Sequence, residues 1–254
     1  MRDDESVILQ EKQGDILILT LNRPDRHNAM NALLSHCLGE VVSKSPQEGV
    51  KVIVITGAGD KSFCAGGDML EMSGKEEISS LLPSKSLRFN GAQEIEKCPI
   101  PIIAAINGYC YGGGARLAIL CDIRLASQNA TFRLPGSEYG LVVAAATLPR
   151  LVGVSKAKEW IYTARRFDAI EALDTGLLSA VHPANILMDK ALEMAKIIAQ
   201  HSSESVQESK RVIDLATLHK EAVIAEQEAN GKLRGSDSQK ERFLSATRLS
   251  LIHI

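Results

Sequence analysis

The sequence has little of three things: cysteine, net charge and long apolar runs. Its five cysteines form no CxxC pair and no cluster with histidine, which excludes a zinc site and a disulfide framework, so we expect no metal. A formal net charge of -2 leaves no basic field to hold nucleic acid. No apolar stretch approaches the roughly 20 residues that span a bilayer, so we also expect no membrane partner.

The composition predicts one ordinary α/β protein of the cytoplasm. Of its 254 residues, 45% are hydrophobic and 24% are charged, which fits one α/β domain, or a core with a smaller appendage. The first ten residues, MRDDESVILQ, open with acids and lack both a signal-peptide apolar region and an Arg-rich transit segment. Scattered cysteines are typical of a reducing compartment, so a cytoplasmic location is expected.

The apolar residues predict short strands that alternate with helices over most of the chain. The predicted elements are a hairpin at 7–24, a helix at 29–45, buried strands at 50–56 and 102–106, a helix from about 113 and a strand at 122–126. Such alternation indicates a layered α/β core. From residue 185 onward the pattern is helical only, which divides the chain into a core at 1–190 and a helical region at 191–254 that packs on the core or on a partner subunit.

Two glycine clusters each follow a buried strand and precede a helix. They are the glycines of TGAGDKSFCAGGDML (56–70) and the triplet Gly112 to Gly114. Either cluster alone is explained by a tight turn or by close packing of a helix on a strand. Together they favour backbone N–H groups that face one point, where two donors would form an oxyanion hole for a thioester enolate.

Two better-known glycine motifs are excluded. Gly57 and Gly59 begin a GxGxxG dinucleotide motif, but Ser62 stands where its third glycine is required. In PGSEYG, Ser137 directly follows Gly136, so the spacing of a GxSxG nucleophile elbow is absent.

Six stretches, in order from about residue 21 to 181, resemble the crotonase superfamily, also called the enoyl-CoA hydratase/isomerase family. They are LNRPDRHNAMN, KVIVITGAGDKSFCAGGDM, IPIIAAINGYCYGGGARLAILCDIRLAS, ATFRLPGSEYGL, LPRLVG and DAIEALDTGLLSAV. The resemblance implies a spiral of repeated ββα units and a C-terminal helical region that forms a trimer, often a dimer of trimers. It also implies lyase or isomerase chemistry on an acyl-CoA thioester of fatty acid metabolism, with no further cofactor.

The resemblance assigns roles to individual positions. The oxyanion donors would be the backbone N–H groups of Gly67 and Gly113. The positions that would contact the substrate are Arg26, His27, Ala29, Ala65, Asp68, Met69, Tyr109, Gly112 and Gly136. Among these, Arg26 would meet a phosphate of CoA, and Tyr109 would line or support the acyl pocket.

The chain departs from the family at both acid positions. Family hydratases carry a glutamate two residues after the glycine triplet, where this chain has Arg116, and another after the proline of PExxxG, where it has Gly136. Hydration of a conjugated thioester needs one group to activate water and one to protonate the α carbon. Arginine stays cationic and cannot act as that base. We therefore expect weak hydration.

Several alternatives follow from these departures. Glu138 could serve as the base of a double-bond isomerase if its loop is extended, or it could pair with Arg116, or it could be a surface glutamate. Arg116 could bind a substrate carboxylate in a decarboxylase or a C–C hydrolase, or it could point to solvent. The chain could also be an acyl-CoA binding protein without catalysis.

Overall fold

The computed structural model describes residues 6–77 and 79–250, with side chains to residue 245. The N-terminal residues 1–5 and the last four residues of the expected helical region, 251–254, lie outside the described residues. The strands are β1 Ile8–Gln13, β2 Ile16–Leu21, β3 Val52–Gly57, β4 Ser62–Cys64, β5 Ile102–Ile106, β6 Tyr109–Tyr111, β7 Ile123–Ser127, β8 Thr131–Arg133, β9 Arg166–Asp168 and β10 Ala180–His182.

The helices fall into two groups along the chain. In the core they are α1 Ala32–Lys44, α2 Met69–Met72, α3 Gly91–Lys97, α4 Gly113–Leu120, α5 Pro149–Val152, α6 Val154–Thr163 and α7 Ala169–Asp174, with short 3-10 turns at Pro24–Arg26, Lys85–Leu87 and Ala184–Ile186. After the core come α8 Leu187–Ala199, α9 Ser203–Thr217, α10 Lys220–Leu233 and α11 Asp237–Ser250. From residue 184 to residue 250, every described element is helical, as the sequence pattern predicts.

Two sheets form the core. The larger has the order β1-β2-β3-β5-β7-β10, and only its β1–β2 hairpin is antiparallel. The smaller has the order β4-β6-β8-β9, with β9 antiparallel to β8. Three successive strand pairs, β3/β4, β5/β6 and β7/β8, place their first strand in the large sheet and their second in the small one. Helices follow these pairs, so the expected repetition of ββα units is confirmed.

Burial on both faces explains why the central strands are continuous apolar runs. Every residue of β3 and β5 is buried. One face packs into the main core, which includes Phe63, Phe132 and Trp160. The other face is covered by α8 through Leu187, Ala191 and Ala195. Parallel strands covered on both faces carry this kind of sequence, rather than an alternating one.

The first helix begins three residues later than its apolar periodicity predicts. Asn31 adopts an extended backbone, and its side chain accepts a hydrogen bond from the N–H of Leu34, which caps α1. Met30 lies before the cap and forms a parallel bridge with Gly67 instead. Among the described residues, no helix is both long and apolar enough to cross a membrane.

Candidate active site

The loop after β4 leaves one glycine N–H without a protein partner. Met30 N–H donates to Gly66 O at 2.7 Å, and Asp68 N–H donates to Met30 O at 3.0 Å. Because the C=O and N–H of a trans peptide point in opposite directions, the N–H of Gly67 points away from Met30. That N–H has no acceptor among residues 6–77 and 79–250. Gly67 therefore presents a free donor at the edge of the loop.

The glycine triplet supplies a second free donor. Gly112 O accepts a hydrogen bond from Arg116 N–H at 2.9 Å, in the first turn of α4. The N–H of Gly113 belongs to the same peptide as that carbonyl and so points out of the helix N-terminus, where backbone donors have no partner within the helix. Gly113 is exposed, and within the described part of the chain its N–H meets no acceptor.

The two free donors are neighbours in space. A Cβ placed on Gly113 would lie 3.5 Å from the Gly67 nitrogen and 3.6 Å from Gly66 C. Since a Cβ lies about 2.5 Å from the nitrogen of its own residue, the two backbone nitrogens are at most about 6 Å apart. One oxygen that accepts two N–H bonds of about 2.9 Å holds its donors at most about 5.8 Å apart, which most of the range below this upper bound satisfies. The geometry thus allows both donors to share one acceptor.

Close packing fixes the position of α4 against β4. A Cβ on Gly114 would lie 2.1 Å from the backbone oxygen of Cys64, so only glycine permits this approach. In the adjacent strands, Cys64 of β4 pairs with Cys110 of β6, and Gly112 N–H donates to Arg133 O at 2.9 Å. The two donors are therefore held by strand pairing and helix packing rather than by mobile side chains.

Asn28 organises the loop between β2 and α1, and sequence analysis did not single it out. It is fully buried with a left-handed φ of 54°. Its Oδ1 accepts from Arg23 N–H at 3.0 Å, and its Nδ2 donates to Ala58 O at 3.0 Å and to Ser62 O at 2.7 Å. Asparagine tolerates a left-handed backbone better than most residues do, so the asparagine within RPDRHNAMN was the feature of the sequence that could have indicated this turn.

An ion pair joins this loop to the glycine loop, and its arginine was also missed. Arg23 Nη2 lies 2.8 Å from Asp68 Oδ2, and Arg23 Nη1 donates to Ala29 O. The two side chains are only 14% and 4% exposed. Burial raises the pKa of Asp68, but the hydrogen bonds from Arg23 and from the N–H groups of Leu70 and Glu71 outweigh it, so the pKa is lowered overall. Asp68 thus stays ionised beside Gly67.

The remaining expected CoA contacts surround the same loop. His27 O accepts from Ala65 N–H at 3.0 Å, which ties the loop to the residue before Gly66. The His27 ring lies 5.9 Å from that of Tyr109, which is 41% exposed. Met69 begins α2 directly after the Asp68 cap.

Arg26, expected to meet a phosphate, pairs with a protein carboxylate in this structure. Its Nη2 lies 2.5 Å from Glu76 Oε1, and the two side chains are 38% and 36% exposed. The pair is thus open to solvent, which makes it weak.

Arg116 lies half-buried on a polar cavity of about 370 Å³ between α3, α4 and α10. Its guanidinium forms no ion pair or hydrogen bond with any described side chain. The cavity wall includes Thr147 and, from α10, Glu226 and Asn230. No feature of the sequence around Arg116 indicates these α10 residues, since they follow more than a hundred positions later.

Glu138 does not pair with Arg116. Its carboxylate forms a short ion pair with Arg133, and its side chain is 44% exposed. An extended loop was the premise for aiming Glu138 into the site, and that premise is wrong. Residues 135–140 form a turn, closed by Leu141 N–H donating to Gly136 O at 2.8 Å, so alternation of side chains does not apply.

The space beside Gly136 is already filled. A Cβ at this buried position would lie 2.8 Å from Leu141 O and 2.9 Å from the Cγ2 of Val143. A glutamate could not enter here without displacing that backbone. The second acid position has therefore lost both its carboxylate and the room for one.

The buried thiols offer no replacement nucleophile. Burial raises the pKa of Cys64 to about 11 and that of Cys121 to about 12, and it also raises that of Cys110. These thiols stay protonated near neutral pH, and the thiolate is the reactive form. In the described ranges, no three His, Cys, Asp or Glu side chains are grouped to hold a metal ion.

Known proteins with similar sequences act on acyl-CoA thioesters. The family model described as enoyl-CoA hydratase/isomerase matches residues 11–245. The short-chain-enoyl-CoA hydratase of Clostridium acetobutylicum is 36% identical over 253 residues, covering 92% of this chain and 92% of that protein. The mitochondrial Delta(3,5)-Delta(2,4)-dienoyl-CoA isomerase of Homo sapiens is 36% identical over 222 residues, covering 81% of this chain and 67% of that one.

Solved structures agree with the sequence matches. The crystal structure of an enoyl-CoA hydratase/isomerase from Pseudoalteromonas atlantica T6c has a TM-score of 0.84 at 30% identity, covering 96% of this chain and 97% of that one. The relatives include both hydratases and isomerases, so similarity alone does not separate the two reactions. The matched residues contain both sheets apart from the start of β1, together with the two glycine loops and α4. The chain belongs to the enoyl-CoA hydratase/isomerase family, the crotonase superfamily.

Proposed function

We propose that the chain binds an acyl-CoA thioester with its carbonyl oxygen between the N–H groups of Gly67 and Gly113. The observation that carries this proposal is the presence of two free backbone donors, on adjacent loops, at most about 6 Å apart. Negative charge that develops on the thioester oxygen as the α carbon passes a proton to solvent at this exposed site would meet both donors and the N-terminus of α4. The bound species stabilised most strongly is then the enolate.

The loop from Arg23 to Ala29 would hold the CoA portion. Its backbone is fixed by Asn28 and by the pair of Arg23 with Asp68, so its carbonyl and N–H groups are positioned before a ligand arrives. Preorganisation of this kind lowers the entropy lost on binding. For Arg26 to meet a phosphate, it must leave Glu76, and the exposed pair holds it weakly.

Ordinary hydration should be slow. Each positioned acid or base contributes on the order of 10²- to 10⁴-fold to a proton transfer, and Arg116 and Gly136 supply neither. We expect turnover of crotonyl-CoA at least about 100-fold below that of a relative with both glutamates. Glu138 is paired with Arg133 and exposed, so an isomerase that uses Glu138 has less support than enolate stabilisation alone.

The test removes one donor without unfolding the helix. Gly113→Pro deletes the N–H at the first helical position, where proline is tolerated, and Gly113→Ala keeps the N–H and adds a Cβ in ordinary contact. Exchange of the α protons of butanoyl-CoA for solvent deuterium, followed by NMR, reports enolate formation whatever reaction follows. We expect Gly113→Pro to slow exchange about 10²- to 10³-fold and Gly113→Ala to retain it.

The outcomes separate the alternatives. Equal exchange in Gly113→Pro and the unaltered chain would contradict the oxyanion proposal. Tight binding of butanoyl-CoA with no exchange would favour an acyl-CoA binding protein without catalysis. Glu138→Gln serves as a further control, since loss of exchange in that variant would return Glu138 to the reaction as its base.

A further inference from the structure

The cavity beside α4 has a lining that suits a polar ligand. Besides Arg116 it is lined by the amide side chains of Asn90, Gln93, Gln227 and Asn230, and its exposed lining is mostly polar. A saturated hydrocarbon tail placed there would strip water from Arg116 and from the amides of Gln93 and Gln227 without replacing their hydrogen bonds, which is costly. An acyl chain that ends in a polar or charged group would not carry that cost.

No direct ion pair with a described side chain holds the arginines of the cavity. The guanidinium groups of Arg116 and Arg234 both line it, and neither has an ion pair or hydrogen bond among the side chains that the structure describes. The carboxylate of Glu226 is occupied by the N–H groups of Ala144 and Ala146, at 3.2 and 2.8 Å. It fixes Ala144 in its left-handed backbone, with φ 57°. Glu226 thus holds the wall through these hydrogen bonds, and together with Glu96 it balances the formal charge of the two arginines.

Glu96 is the other carboxylate on the cavity, and among the described residues it forms no ion pair with either arginine. Arginine presents a planar fork of N–H donors that fits a carboxylate in two parallel hydrogen bonds. A carboxylate that enters between these side chains therefore finds matched donors at Arg116.

The cavity is linked to the proposed thioester site through α4, which carries both Gly113 and Arg116. Arg116 follows Gly113 by three residues on α4, which places it about 4.5 Å further along the helix axis and on the same face. A group bound by Arg116 would thus lie only a few carbon atoms from an oxygen bound at Gly113. That spacing suits an acyl chain of about four to six carbons.

We propose that the Arg116 cavity binds the distal carboxylate of a short dicarboxylic acyl-CoA. This inference rests on the proposed function, because it assumes that the thioester lies at Gly67 and Gly113. It assigns Arg116 as a determinant of substrate choice, at the position where family hydratases place an acid. The substrate class is then a CoA monoester of a dicarboxylic acid, rather than a fatty acyl-CoA.

The experiment compares glutaryl-CoA with butanoyl-CoA and with free CoA by isothermal titration calorimetry. We expect the unaltered chain to bind glutaryl-CoA on the order of 10- to 100-fold more tightly than butanoyl-CoA, as a hydrogen-bonded charge pair provides. Arg116→Ala should abolish that preference, and Arg116→Lys should retain part of it. Glu96→Gln should increase the preference, because it removes the nearby competing carboxylate.

Each result bears on a different claim. If both esters bind equally well and tighter than free CoA, and Arg116→Ala changes neither, this inference is wrong while the proposed function stands. If neither ester binds better than free CoA, both are wrong. Thermal unfolding of each variant shows that it is folded, and the ratio of the two affinities is insensitive to a general loss of active protein.

Discussion

Replacing Arg23 by methionine should destabilise the chain and make its stability depend on pH in a defined direction. The change keeps the apolar stem but removes the hydrogen bonds to Asp68 and Ala29 O. Breaking a buried pair costs about 3–5 kcal/mol, and because Arg23 is 14% exposed we expect the lower end, about 3 kcal/mol. For a chain of this size that corresponds to a fall in Tm of about 6–12 °C.

The pH dependence follows from Asp68. In the native chain the pKa of Asp68 is lowered below its ordinary value of 3.8, so its ionisation stabilises the fold above about pH 4 and this contribution is lost as the pH falls below that. Without Arg23, burial becomes the main influence and raises the pKa of Asp68 instead. Protonation of Asp68 then removes the buried, unpaired negative charge and reduces the destabilisation of the variant. The difference in Tm between the two proteins should therefore shrink as the pH falls from 7 towards 4.

Differential scanning calorimetry between pH 4 and pH 7 measures this difference. Arg26→Met is the matched control, since it lies in the same loop and breaks a pair that is more than a third exposed, worth less than about 1 kcal/mol. Equal destabilisation by the two substitutions, or a difference for Arg23→Met that does not change with pH, would refute the reasoning.

Two further predictions concern stability. Gly114→Ala should cost about 3 kcal/mol in the free energy of unfolding by urea, because its Cβ would lie 2.1 Å from Cys64 O, and near-neutral stability of this variant would contradict the packing of α4. Hydrogen bonding from Arg165 is the main cause that lowers the pKa of Glu171 to about 2, so its ionisation stabilises the fold above about pH 4.5 and is lost towards about pH 2. Glu171→Gln should therefore lower Tm most near pH 7 and less below pH 4.5, and a deficit that grows on acidification would show that the sign is wrong.

Most of the secondary structure could be predicted from the local pattern of apolar residues and glycines. The apolar run at 102–106 predicts the bounds of β5, and the glycine triplet predicts where α4 begins. Both predictions succeed because buried parallel strands and helix N-termini require particular residue types at a few adjacent positions. The proposal that Gly67 and Gly113 are oxyanion donors follows from the same glycines together with the family resemblance. These features depend on residues close in the sequence.

What could not be predicted depends on distant residues. Arg23 and Asp68 are 45 residues apart, and Glu226 binds the N–H of Ala146 from 80 residues away. Periodicity carries no information about such partners. Glu138 shows a local failure, since the turn at 135–140 replaced the extended loop on which its orientation was argued.

The contacts of α10 with the loop at 142–146 mean that the two halves of the proposed binding cleft are completed at different times. Both glycine donors and both sheets are encoded by residue 182, whereas Glu226 and Asn230 hold the loop from near the end of the chain. A nascent polypeptide, or one cleaved by a protease before α10, would keep the two glycine donors proposed to hold the thioester and lose the wall opposite Arg116. Such a shortened protein would discriminate less among acyl groups while still engaging the carbonyl they share.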